Sequence, residues 1–380
     1  MKVSGEWLAS AGVQAVMAAL TGAGHQALAV GGCVRNAVLG APIADVDVAT
    51  DAVPETVTNI AENAAFRVIP TGIDHGTVTV LAHGTSIEVT TFRRDVATDG
   101  RRAVVAFSTD IADDAARRDF TMNALYAQAD GTLVDPLGGL PDLLARRVRF
   151  VGEAEARIRE DYLRILRFFR FHAWYADPDH GIDAEGLAAC AANSAGLETL
   201  SRERVGAEMR KLLAAPDPGP AVAAMAQGGA LGAILPGVDA RWLPVLVHLE
   251  RAAPPRWLRR LAVLGGPEAT DALRLSRDEQ RDLAHIRDAL ASDYSPAATG
   301  FLYGATLASD AVLLRAAMLE SPPPDAWQGQ IARGAAAQFP VNAADLMPAL
   351  EGGALGARLK DLQERWLRSD LTLTKAQLLG

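Results

Sequence analysis

The spacing of apolar residues changes character about 150 residues into the chain. Before that point short segments alternate. Leu28 to Gly32 is an apolar run ending in Gly-Gly, and Asp45-Val46-Asp47-Val48, Thr77-Val78-Thr79-Val80 and Ile87-Glu88-Val89 repeat with a period of two. That period sends every second side chain to one face, so these runs predict strands of one sheet. Between them, Cys33 to Leu39 fits a short helix closed by Gly40, and Pro54 to Ala65 opens with proline in the first turn after a Thr50/Asp51 cap. An α/β head is expected. Beyond Gly152 the segments become long and rich in alanine and leucine, with a helical period, interrupted by prolines at 216 to 220, 254 to 255 and 322 to 324. The remainder is predicted to be helical, with the proline clusters as inter-helix loops. The fold class is therefore α+β, a mixed-sheet head followed by helices. Neither a fixed-period repeat nor a low-complexity tract is present.

Composition narrows the function classes. With 380 residues, 49% hydrophobic and 22% charged, the chain has globular composition and room for two or three domains. No stretch approaches the ~20 uncharged apolar residues of a bilayer span, and Met1 to Leu8 lacks an apolar signal core. Membrane insertion and secretion are not expected, and a cytoplasmic location is. Cys33 and Cys190 stand far apart without zinc-like spacing. The balance of 37 basic to 46 acidic residues, a net −9, offers no general attraction to polyanions, so a nucleic-acid partner would need local patches. The basic set is nearly all arginine, with lysine only at positions 2, 211, 360 and 375. Arginine suits bidentate contacts to phosphates and bases, although GC-rich coding produces the same bias.

Two short constellations carry candidate chemistry. In Val30-Gly31-Gly32-Cys33-Val34-Arg35-Asn36 a strand runs into paired glycines and a helix. Glycine lets a ligand approach the backbone, and free N–H groups at a helix start attract phosphate. The turn is neither GxGxxG nor a P-loop, and alone it fits a plain strand-to-helix connection equally well. In Asp45-Val46-Asp47 the strand period puts both carboxylates on one face while Val46 and Val48 pack inward. Adjacent carboxylates repel unless a cation joins them, and Mg²⁺ favours such oxygen ligands beside a phosphate-bearing substrate. A solvated strand face is the ordinary alternative. Together the two place an anion cradle near a cation clamp, the minimum equipment for nucleotidyl transfer.

The stretch VGGCVRNAVLG…DVDVAT resembles the GGxVRD…DxD opening of polymerase-β-type nucleotidyltransferases, the group of bacterial tRNA CCA-adding enzymes and poly(A) polymerases. Asn36 departs from the usual aspartate, which puts the steadying of Arg35 in question. PTGIDHGTVTV and IEVTTFR resemble the family's middle strands, and RRDFTMNAL (Arg117 to Leu125) its ribose- and phosphate-contacting motif. The resemblance implies ribose recognition by Arg118 and Asp119, with Asn123 close by. Asp135 to Leu143 resembles the element joining head to neck. Glu88 either supports the aspartates or is a solvent-facing strand residue.

In RIREDYLRILRFFRF (Arg157 to Phe171) a helical period gathers Ile158, Tyr162, Ile165, Leu166 and Phe169 on one face and Arg157, Glu160, Asp161 and Arg164 on another. Carboxylates and arginines fixed on a rigid helix match base-edge donors and acceptors. Ordinary salt bridges such as Arg157 with Asp161 account for the same pattern. Glu160 to Arg164 also resembles the family's EDxxR motif, which implies that Asp161 and Arg164 read CTP and ATP and that Glu160 orients Arg164. Arg167 and Arg170 lie near phosphates or add charge to the helix. The seven histidines form no HD-type metal cluster.

The resemblance implies a template-independent nucleotidyltransferase that adds or repairs the 3′-CCA of tRNA from CTP and ATP with Mg²⁺. Asp45 and Asp47 would bind metal, Gly31, Gly32 and Arg35 the triphosphate. The expected domains are a catalytic head over 1–150, a base-recognising neck over 151–215, and a tRNA-binding body and tail over 216–380. A poly(A) polymerase or an A-only or CC-only enzyme shares the head motifs. A silent RNA-binding relative and a dinucleotide-dependent oxidoreductase are the other classes, and the latter lacks its glycine fingerprint.

Overall fold

A computed structural model describes residues 1–99, 102–250 and 253–380. The chain forms two compact units, one of residues 1–200 with 227–233 and one of 201–226 with 234–380.

In the first unit α1 (Glu6–Ala9) and α2 (Ala11–Gly22) lead into β1 (Ala27–Val30), α3 (Gly32–Leu39), β2 (Asp47–Thr50) and α4 (Pro54–Asn63). There follow β3 (Arg67–Gly72), β4 (Thr77–Ala82), β5 (Thr85–Thr91), the hairpin β6 (Arg93–Asp99) and β7 (Arg102–Phe107), and α5 (Ile111–Ala116). Then come β8 (Tyr126–Ala127), β9 (Leu133–Val134), α6 (Leu140–Leu144), α7 (Ala154–Glu160), α8 (Leu163–Tyr175) and α9 (Ala184–Ala192). Seven strands form one sheet in the order β3-β4-β5-β2-β1-β8-β9, in which only β2 and β5 run parallel. The expected mixed sheet is thus observed. Its centre is dry: Leu28, Val30, Ala49, Phe92, Ala124 and Tyr126 belong to one buried cluster.

Three local expectations need correction. Neither Thr50 nor Asp51 caps α4: Val53 holds the cap position without a side-chain bond, and Pro54 itself opens the helix. The Asp45-to-Val48 alternation holds as burial, with Val46 and Val48 inside, but ladder pairing begins only at Asp47. Nor is Arg157 to Phe171 one helix. Asp161 takes an extended conformation (φ −157°, ψ 105°), and its Oδ1 accepts the Leu163 N–H at 3.1 Å. A short carboxylate competing for a main-chain N–H ends α7 and caps α8. Hydrophobic periodicity runs unbroken through the segment and so conceals the break.

An aromatic cluster docks α8 on the head. Phe120 is fully buried, and its ring lies 5.0 Å from those of Phe150 and Phe171. Phe168 stacks on Phe150 at 5.3 Å. The Asp135-to-Leu143 element is tied to the same place, since Asp135 accepts the Gly139 and Leu140 N–H groups and Asp142 accepts the Thr121 hydroxyl at 2.8 Å.

Among the described residues all regular elements of the second unit are helical, as expected. Its core contains a buried charge network: Glu250 accepts from Arg259 and Arg260, and Asp310 from Arg256 and Arg259. Arg260 also donates to the carbonyls of Leu213, Ala215 and Pro216, which a helix end leaves without partners. The helical segment Pro296–Met318 has the length and mean hydropathy, 1.3, of a membrane span, but Gly304 at φ 76° kinks it, it carries Asp310 and 61% of its apolar window is buried inside the unit.

Candidate active site

The glycine turn requires glycine at one position. Gly31 has φ +73° and ψ −119°, a conformation L side chains rarely adopt, and a Cβ there would stand 3.2 Å from Nη1 of Arg118. The turn thereby leaves room for that guanidinium. Gly32 opens α3, where a methyl group would meet Arg35 at an ordinary 3.7 Å. Asp47 follows on the neighbouring strand, opposite Val30 on β1 and Glu88 on β5. Burial pushes its carboxyl up, as do the charges of Glu88 and Asp45, while Arg118 pulls it down. Asp45 is exposed and Asp47 half-buried. Among the described residues no group of three or more His, Cys, Asp or Glu is arranged as a metal cage. The pair nonetheless has hard oxygen donors and surplus negative charge, which suits a divalent cation.

Arg118 is held from below by a residue that sequence reasoning passed over. Asp114, inside α5 and almost fully buried, accepts from Arg117 at 2.6 Å, from Arg118 at 2.9 Å and from the Tyr126 hydroxyl at 2.7 Å. Burial alone would raise the Asp114 carboxyl, but Arg118 and Arg117 hold it below the usual range. Desolvation likewise opposes charge on Arg118, and Asp114 with Tyr126 more than restores it. The i,i+3 and i,i+4 spacing from Asp114 to Arg117 and Arg118 was a legible signal.

A second network joins α3 to α8. Arg35, 6% exposed, donates to Asn36, to Asn123 at 2.6 Å and to the Tyr175 hydroxyl at 2.8 Å, and its guanidinium lies 4.0 Å above the Tyr175 ring. Asn36 answers the question raised by its departure from the family pattern: its Oδ1 takes two bonds from Arg35, steadying it without a charge. Asn123 passes the network to Asp119 at 2.9 Å, and Arg167 of α8 closes it on Asp119 with contacts of 2.6 and 2.8 Å. With the Phe120 N–H, Asp119 accepts four bonds, the capacity of a carboxylate. Burial works against its charge, and Arg167 and Asn123 lower it regardless. Arg35 and Asp119 are therefore framework residues here as well as candidate ligand contacts. Arg170 stacks on Phe171 at 4.5 Å.

The base-reading candidates meet across the break between α7 and α8. Glu160 pairs with both Arg157 and Arg164. Arg164 also donates to the Arg157 carbonyl at 2.6 Å. Asp161 caps α8 and stands partly exposed beside them. Asp161→Ala should cost about 0.5–2 kcal/mol through the lost cap. If Asp161 also reads the base, the variant will accept UTP and GTP more readily while its CTP turnover falls less. Discrimination unchanged at lowered stability would leave it only the cap. A cavity of about 540 Å³ opens nearby, lined among others by Ala116, Thr121, Arg149 and Arg157, and neither Asp45 nor Asp47 faces it.

The mixed sheet bears a glycine turn, an adjacent Asp-x-Asp and a braced arginine motif, the set that the sequence resemblance implies for a nucleotidyltransferase head. Residues 27–149 match the model of the poly(A) polymerase head domain, and 181–241 that of a probable RNA- and SrmB-binding site of polymerase A. The mitochondrial CCA tRNA nucleotidyltransferase 1 of Danio rerio is 34% identical over 370 residues, 92% of this chain and 85% of that protein. The Mus musculus counterpart is 46% identical over 190 residues, which is 50% of this chain and only 44% of that protein. The Bacillus stearothermophilus CCA-adding enzyme in complex with CTP superposes with a TM-score of 0.74 at 31% identity, covering 94% of this chain and 92% of that one. The chain belongs to the CCA-adding enzyme family.

Proposed function

We propose that the protein adds or restores the 3′-terminal CCA of tRNA from CTP and ATP, releasing pyrophosphate. The observation that carries this reading is the joining of three motifs in one unit: the glycine turn under Arg118, Asp47 one strand away, and the Glu160–Arg164 pair bonded to the arginine motif. Asp45 and Asp47 would hold Mg²⁺, which when bound lowers the pKa of the attacking 3′-hydroxyl and neutralises the leaving pyrophosphate. Arg118, kept charged by Asp114 and close to the turn, contacts the ribose and the phosphates. Arg35 supports that turn by tying α3 to Asn123 and Tyr175, and Asp161 with Arg164 reads the base edge. The transfer is a single displacement at phosphorus without a covalent enzyme intermediate. The helices beyond residue 216 would bind the tRNA body.

The decisive assay offers labelled CTP and ATP, separately and together, with tRNAs ending at the discriminator base, at C and at CC. Sequential CMP, CMP and AMP addition is expected. AMP addition to every substrate would mean a poly(A) polymerase. Growth restricted to CC or to the final A would mean a partial enzyme.

A further inference from the structure

Arg157 precedes the base-reading motif and has no part in the mechanism above. It is 8% exposed, so its charge needs partners. One end of its guanidinium pairs with Glu160. The other donates to two main-chain carbonyls of the arginine motif, those of Arg117 and of Arg118, the latter at 3.0 Å. These carbonyls lie just past the end of α5, where helix geometry leaves such groups without partners. Arg164 completes the arrangement by donating to the carbonyls of Arg157, at 2.6 Å, and of Arg117. Glu160, Arg164 and the main chain of the arginine motif are thus bonded through one planar fork. Lysine, a compact point charge, cannot span a carboxylate and two carbonyls in that way.

We propose that Arg157 is a positioning residue that keeps the sugar-contacting motif and the base-reading pair in one register, and so sets nucleotide discrimination through Glu160, Arg164 and the carbonyls of Arg117 and Arg118. It rests on the nucleotidyl transfer proposed above. Because the fork grips both motifs, its loss loosens two selections together: base, CTP over UTP, and sugar, CTP over dCTP. Asp161, on the base side only, should govern the first alone.

The test uses the purified full chain with tRNA lacking CCA, and measures kcat/KM for CTP, UTP and dCTP in the wild type, Arg157→Lys and Asp161→Ala. Arg157→Lys is expected to lower both ratios by about tenfold, the scale of one charge-assisted hydrogen bond. Asp161→Ala is expected to lower only the base ratio. A reduced melting temperature with both ratios at wild-type values would make Arg157 a helix-end brace and overturn the proposal, as would loss of the base ratio alone. Should Arg157→Lys not fold, Glu160→Gln cuts the same bridge from its other side and is read in the same way. A wild type that incorporates neither CMP nor AMP removes the proposed function itself, whereas an active wild type with unmoved ratios in the variant removes only the positioning role.

Discussion

Asp47→Ala is expected to lower CMP and AMP incorporation by about 1,000-fold or more, the scale on which loss of a preorganised electrostatic group is felt. NTP binding should weaken far less, because Arg118 and the glycine turn remain. The same substitution should leave the fold intact or slightly more stable. Asp47 is half-buried between Glu88 and Asp45, and their repulsion with its desolvation makes its charge unfavourable in the absence of a cation. Stability given up for a charged site is common where catalysis needs that charge. Steady-state incorporation, equilibrium CTP binding and thermal unfolding together check this. Retained turnover would remove the metal assignment, and a sharp loss of stability would make Asp47 a structural residue.

The second large effect belongs to Asp114. Its carboxylate is buried and takes three partners, so Asp114→Asn leaves two arginines without their counter-charge and should destabilise the first unit by about 3–5 kcal/mol. Released from below, Arg118 should also raise the KM for both nucleotides. Asp114 and Asp119 carry lowered carboxyl pKa values, so their stabilisation is fully present above the ordinary carboxylate range and is lost as pH falls through their folded-state values. Urea midpoints measured from neutral to acid pH should fall steeply in the wild type and less steeply in Asp114→Asn. Equal slopes would show that Asp114 contributes nothing to the acid limb. A KM unchanged at pH 7 would separate Asp114 from nucleotide binding.

Much of the site was readable because it is local. Gly31, Gly32 and Arg35 fall within one strand-to-helix turn, and Asp45 and Asp47 are two residues apart, so strand period alone puts them on one side. Glu160 and Arg164 pair at helical spacing although the helix between them is broken. The break itself was not readable, since a carboxylate choosing a main-chain N–H leaves no mark on hydrophobic period. Nor were the long-range partners of Arg35 and Asp119: Tyr175 lies 140 positions from Arg35, and Arg167 lies 48 from Asp119. The hairpin β6–β7 was also missed; its sequence, dense in charge, gives no clean two-residue alternation.

By itself the order of residues determined the central strands β1, β2, β4 and β5, the helical character after Gly152 and the identity of the chemical groups, because period, turn residues and side-chain type act over a few positions. Tertiary structure alone decided which groups are charged, spent or poised. Asp119 became a saturated framework acceptor, Arg35 a bridge between two helices and Arg157 the tie between motifs. Those roles depend on burial and on partners brought from distant positions, and both come into being only when the aromatic cluster around Phe120 draws α8 onto the head.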